Sequence, residues 1–149
     1  QTLQDYLDQH DIQYVTISHS PAYTAQRIAE LTRIPGKELA KTVIVKVDDK
    51  LAMAVLPASR RVDLDHLKSA LGADDVVLAS EDEFKRLFPD CELGAMPPFG
   101  NLYDMGVFVA EQLTEDDEIA FNAGSHTELV KMAYRDYAKL VTPQVVSLT

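Results

Sequence analysis

The 149-residue chain is predicted to fold as one α+β domain with a mixed β-sheet flanked by helices, and three features carry that expectation. KTVIVKVDDKLAMAVLP (41–57) sets two apolar, β-rich runs on either side of Asp48-Asp49-Lys50, which is a hairpin pattern. VFVA (107–110), EIAFNA (118–123) and ELVKMAY (128–134) are three further strand candidates, closely spaced in the last third. Segments with helical periodicity and cap residues stand between these runs. The hairpin and the late strands together exclude a simple alternating βαβ repeat.

In chain order, LQDYLDQHDI spaces Leu3, Tyr6 and Leu7 along one face of a short helix, and QYVTIS (13–18) follows as a strand. Thr24 is placed to cap a helix over about 24–34 whose Ile28, Leu31 and Thr32 face one way; Pro35-Gly36 ends it. The hairpin comes next, with Lys41 at the entrance of its first strand and Pro57 closing the second. Asp63 opens and Gly72 stops a helix in DLDHLKSALG, and VVLA (76–79) reads as a short buried strand. Ser80 with Glu83 forms a capping box for EDEFKRLF, terminated by Pro89. RDYAKLV (135–141) supplies a last helix before Pro143. No repeat, low-complexity tract or linker divides the chain, so 1–149 is expected to be one domain.

Composition narrows the function. At 46% hydrophobic and 26% charged, the chain has the make-up of an ordinary globular protein, with no apolar run near the ~18 residues of a spanning helix. QTLQDYLDQHD carries three acids and no base, unlike a secretory signal, and a single cysteine forms no internal disulfide. A cytoplasmic location is expected, with no membrane partner. The first residue is not Met, which leaves room for a trimmed chain or for further domains of a longer one. A net charge of −10 argues against broad nucleic-acid binding. Residues 26–61, however, hold eight bases against four acids, a local charge of +4 that could form a basic face on an acidic body.

The missing motifs narrow the chemistry further. His10, His19, His66, His126 and Cys91 show no HExxH, HxxxH or CxxC spacing, so no metal is expected. The absence of GxGxxG and GxxxxGK[ST] removes the usual nucleotide loops, and no GxSxG elbow is present. No cofactor is expected. Cys91 reads as a small packed hydrophobe, or as a nucleophile only if the fold brings His19 or His126 to it. Lys41, opening an apolar strand, is either a lysine whose stem reaches solvent or a partly desolvated cation awaiting an acceptor. In GAMPPFG (94–100) the prolines stiffen the loop, while Gly94 and Gly100 allow backbone to approach a ligand; a plain connection is the alternative. NAGSH (122–126) is a second polar, glycine-containing turn, and His19 and Thr24 flank the start of the helix near 24, where they either face the same cleft or cap and pack.

The ordered set HSPAYTA (19–25), AKTVIVK (40–46), LPASRRVDL (56–64), GAMPPFG (94–100) and FNAGSHTE (121–128) resembles the YbaK/ProX family of aminoacyl-tRNA deacylases, related to the editing domain of bacterial prolyl-tRNA synthetases. The resemblance implies a partly barrel-like mixed sheet with a small pocket for an aminoacyl group. It implies trans-editing, the hydrolysis of a mischarged aminoacyl-tRNA ester, with a synthetase as a further partner. A noncatalytic amino-acid- or tRNA-binding regulatory module within a larger protein is the alternative. By position, Lys41 matches the family's functional lysine and Thr42 the polar residue beside it. Gly94 and Pro98 match a GxxxP loop whose glycine backbone helps hold the ester. Asn122 and Gly124 fall on a turn lining the same pocket, and Ser125 and His126 stand where some relatives carry basic residues. On the same resemblance His19 and Thr24 are expected to line the pocket, His126 to lie beside the substrate, and Arg60 and Arg61 to face the tRNA.

Overall fold

The computed structural model describes residues 3–89 and 91–148. Two sheets form. One is antiparallel, of three strands in the order β1 (Tyr14–Ser18), β7 (Glu128–Ala133), β6 (Glu118–Asn122). The other is mixed, in the order β4 (Val76–Leu78), β2 (Ala40–Val47), β3 (Lys50–Pro57), β5 (Gly106–Ala110), β8 (Gln144–Val146). Its β3–β5 and β5–β8 pairs are parallel, and the rest antiparallel. The α+β expectation stands. The barrel-like part does not, because the five-stranded sheet ends at β4 and β8 instead of closing on itself.

The strand alternation explains the layering. Ile119, Phe121, Val130 and Met132 of the small sheet and Ile44, Met53, Val55 and Val109 of the large one meet in the main core, beneath α1 (Leu3–Gln9) and α5 (Tyr134–Val141). The alternate residues point outward to two smaller cores. Ala120 and Leu129 pack with Ile28 of α2 (Ala25–Thr32). Val45, Ala54 and Leu56 pack with Leu67 of α3 (Leu64–Leu71) and with Val146 and Leu148. Each sheet is thus covered by a helix on one face and by the other sheet on its second.

Local chemistry sets the boundaries. Asp48 and Asp49 take left-handed backbone angles (φ 48° and 69°), the two-residue hairpin turn that suits Asp, so Lys50 belongs to β3. Thr24 Oγ1 accepts from the Arg27 N–H at 3.1 Å and Asp63 Oδ1 from the His66 N–H at 3.0 Å, both as N-caps. α2 stops at Thr32, with Arg33 left-handed at φ 59°, and Leu31 lies on its exposed side while Ile28 is buried. α4 (Glu81–Phe84) is shorter than its periodicity suggests, tightening into a 3₁₀ turn over Lys85–Leu87. β4 is an edge strand that buries Val76 and exposes Val77 and Leu78, contrary to a buried reading. β8 was not anticipated: three residues beyond a proline give too short a pattern to read.

Glu83 ties α4 to the large sheet. Its carboxylate accepts from the Ser80 N–H at 2.9 Å and pairs with Lys46 Nζ at 2.6 Å. These bonds favour the charged form and lower its pKa from 4.5 to about 2. A depressed carboxylate stabilises the fold above its ordinary pKa, and that contribution is lost as pH falls through the folded value. Glu83→Gln should therefore unfold at a lower temperature than wild type at pH 7, with the gap narrowing below pH 4.5 and closing near pH 2; a gap independent of pH would remove the ionic contribution.

Candidate functional site

Lys41, Arg60, Arg61 and Thr24 come together. With Ala25, Gln26, Ala58 and Ser59 they line a cavity of about 290 Å³. The hairpin register explains half of this: Ala40 pairs with Pro57 and Lys41 with Leu56, so the residues just past Pro57 return beside the entrance of β2. The other half is the start of α2, whose first N–H groups carry the positive end of the helix dipole. Burial, and then the neighbouring Arg61 charge, lower the Lys41 pKa. No carboxylate pairs with Lys41 among the described residues. The cavity therefore combines three cations and a helix N-terminus without an anion.

Gly94, Gly124 and His126 form a second group. The Glu92 N–H donates to the Gly124 carbonyl at 2.8 Å and the Gly124 N–H to the Ala95 carbonyl at 2.9 Å, which laces the 94–100 loop to the 122–126 turn. His126, only 7% exposed, donates from Nε2 to the Leu93 carbonyl at 2.7 Å, and its N–H donates to Glu92 Oε1 at 3.3 Å. A carbonyl can only accept, so Nε2 carries the hydrogen, and in the neutral ring Nδ1 presents a lone pair. Among the described residues that buried Nδ1 has no donor, and neither has Asn122 Oδ1 on the same turn. Gly94 is left-handed at φ 86°, and its N–H finds no backbone acceptor among the described residues. A Cβ at Gly94 would stand 3.4 Å from His126 Cε1.

The segment HSPAYTA joins the two groups. The His19 N–H donates to the Thr127 carbonyl at 2.9 Å and the Ala22 N–H to the His126 carbonyl at 3.1 Å, the Tyr23 ring lies 4.7 Å from the His126 ring, and Thr24 lines the cavity. His19 donates from Nδ1 to the Ser20 carbonyl at 2.7 Å, leaving a buried Nε2 without a donor among the described residues. Tyr23 and Glu92 escaped the sequence reading. Tyr23 sat in a quoted motif between a proline and a cap, whereas the Glu92–His126 contact spans 34 residues and had no local signal.

Other anticipated residues separate from these groups. Alternation sets Thr42 with Ala40 and Ile44 toward the main core, and Lys41 with Val43 and Val45 on the other side of β2. Pro98 is buried, and its carbonyl accepts from Tyr137 Oη at 2.7 Å, which anchors the loop to the core. Gly100 makes room for the Met105 carbonyl and for Val107, so its missing side chain serves packing and not the approach of a ligand. Cys91 packs against the main core with Sγ 3.4 Å from Tyr103 Oη. Among the described residues no group of three or more His, Cys, Asp or Glu is placed to hold a metal ion, and no helix is long and apolar enough to cross a membrane.

Three comparisons bear on this arrangement. The chain is 29% identical over 147 residues to the multifunctional Ser/Thr-tRNA deacylase ProXp-y of Escherichia coli K12, covering 95% of this chain and 87% of that one. It is 31% identical over 109 residues to the proline–tRNA ligase of Staphylococcus saprophyticus, covering 71% of this chain but only 18% of the ligase. Its fold matches the crystal structure of a candidate trans-editing enzyme for prolyl tRNA synthetase with a TM-score of 0.83 at 19% identity, over 99% of this chain and 94% of the other. The family model of the aminoacyl-tRNA editing domain matches residues 19–140, and the chain belongs to that family.

Proposed function

We propose that this chain hydrolyses the ester bond of mischarged aminoacyl-tRNA in trans, with residues 1–149 working as one deacylase domain. The observation that carries the reading is the unneutralised Lys41–Arg60–Arg61 cavity at the start of α2, joined by HSPAYTA to the Gly94–His126 group, in a chain of the editing-domain family. In it the cavity takes backbone phosphate of the acceptor end. The Gly94 loop takes the aminoacyl ester. Water adds to the carbonyl carbon, the ester C–O bond breaks, and the products are a free amino acid and a ribose hydroxyl. An aminoacyl ester is already activated, so fixed donors and orientation supply most of what is needed.

Lys41 and Gly94 are the groups assigned to the reaction: the first anchors substrate oxygen, the second offers its N–H to the carbonyl oxygen. Thr24 lines the phosphate side. His19, Asn122, Gly124 and His126 surround the acyl side, with Thr42 and Pro98 supporting it from the core. The bare acceptors of Asn122 and His126 favour a small aminoacyl group that carries a donor, and the Escherichia coli relative is a Ser/Thr-tRNA deacylase. The match to part of a proline–tRNA ligase supports work beside a synthetase, and a tRNA substrate is in keeping with a cytoplasmic location.

Single-turnover deacylation of a panel of mischarged tRNAs, headed by seryl and threonyl esters, tests the reading. Lys41→Ala should lower the rate by about a hundredfold or more, because a charge-assisted contact in the reactive geometry is lost. Its melting temperature should not fall at neutral pH, since the substitution removes a desolvated cation. Wild-type rates in folded Lys41→Ala would remove that role. Binding without hydrolysis by the wild-type protein across the panel would favour the noncatalytic module.

Arg60→Glu with Arg61→Glu should weaken tRNA binding and reduce the slope of log affinity against log salt by about 2. An unchanged slope would place the tRNA on another face.

Gly94→Ala should cost roughly 1–2 kcal/mol through the left-handed backbone and set a methyl group against the His126 ring. It should slow deacylation far more than that loss of stability explains, whereas unchanged turnover would make the loop a connector.

A further inference from the structure

Tyr23 is 73% exposed, the largest exposure among the big apolar side chains of the described residues. Its hydroxyl makes no hydrogen bond among the described residues, and the ring adds little to any core. Yet its backbone is anchored on both sides. Pro21 precedes it, Ala22 is bonded to the His126 carbonyl, and Thr24 is committed to capping α2. Its ring rests against that of His126, with centroids 4.7 Å apart and planes at 54°, and His126 is itself buried and pinned to the Leu93 carbonyl. A supported aromatic ring with an open face is a platform for a flat ligand.

The neighbours define that ligand. The next residue, Thr24, lines the cavity of Lys41, Arg60 and Arg61, and consecutive Cα atoms lie about 3.8 Å apart. On the other side, Tyr23 abuts the ring that packs beside Gly94. A phosphate-seeking cavity, an aromatic face and an ester-holding loop therefore converge on Ala22–Thr24. A single nucleotide acylated on its ribose presents three matching groups: a 5′-phosphate, a base and an ester. Resting on the deacylase reading, we propose that Tyr23 stacks the 3′-terminal base of the aminoacyl-tRNA and acts as a positioning residue that orients the ester. Stacking is tolerant of base identity, so this contact supplies affinity and orientation in place of sequence choice.

The experiment uses the full chain and an acceptor-stem RNA hairpin whose terminal adenine is replaced by 2-aminopurine. Binding to wild type should quench the fluorescence, Tyr23→Phe should quench it equally, and Tyr23→Ala should not. Tyr23→Ala should weaken binding of the ordinary hairpin by roughly 5- to 150-fold, the range set by one base on one aromatic ring. With mischarged substrate the loss should fall mainly on KM, with a smaller loss in kcat. A hairpin ending in an abasic ribose separates stacking from other roles, because on it Tyr23→Ala and wild type should bind alike. An equal penalty on the abasic hairpin would overturn the proposal and assign Tyr23 to another contact, such as a protein partner. Loss of quenching in Tyr23→Phe would also overturn it, since the hydroxyl would then be the essential group. A wild-type protein that quenches the probe but hydrolyses no mischarged tRNA would remove the deacylase reading while upholding the stacking.

Discussion

A short length of backbone sets how the two sheets stand. The Ala120 N–H of β6 donates to the Glu38 carbonyl at 2.9 Å, Leu39 bridges Ala120 in parallel, and the Ala58 N–H returns to the Leu39 carbonyl at 2.8 Å. Strand β2 begins one residue later and carries Lys41; strand β6 ends two residues after Ala120, at Asn122. The seam thus fixes, by hydrogen bonds that cannot slip without orphaning buried groups, how the cation cavity lies relative to the 122–126 turn. Its side chains, Leu39, Ala58 and Ala120, share one small core with Ile28, so α2 is seated by the same contact. Larger side chains at Ala58 or Ala120 would wedge this joint open.

The Gly94–His126 group is held together largely by main chain. Carbonyls fix the hydrogens of His19 and His126, and paired N–H and C=O groups lace the 94–100 loop to the turn at 122–126. Tyr137 pins the loop from below through the Pro98 carbonyl, and burial raises the pKa of that phenol far above its ordinary value, keeping it a neutral donor. Geometry of this kind is rigid at small cost in side-chain entropy. It leaves side-chain charge to the cavity, whose three cations have no carboxylate among its lining residues.

Where a signal was local, the sequence could be read. The caps at Thr24 and Asp63, the Asp-Asp hairpin turn and the periodic strands all follow from residues within a few positions of one another. The hairpin register also brings Arg60 and Arg61 back to Lys41, so that grouping was accessible. What escaped was set at long range. The division into two sheets depends on β7 choosing β1 and β6, and the exposure of β4 on its edge position. The resemblance sets Thr42 beside Lys41, and alternation along the strand turns these two neighbours to opposite faces. At Gly100 the sequence leaves open either the approach of a ligand or a plain connection, and residues 105 and 107, which fill the space where its side chain would be, decide for the connection.

The last strand matters for the order in which the chain can be completed. β8 pairs in parallel with β5, Val146 and Leu148 sit in the core beneath α3, and the Asp63 N–H donates to the Leu148 carbonyl at 2.7 Å. Asp63 lies two residues beyond Arg61, so the segment that ends one wall of the cation cavity is bonded to a residue 85 positions downstream. During synthesis the hairpin and α3 leave the ribosome long before the residues that seal their shared core. Until then Leu56 and Leu67 remain partly uncovered. Completion of that shared core, and of the backbone support next to Arg61, therefore waits on the docking of β8.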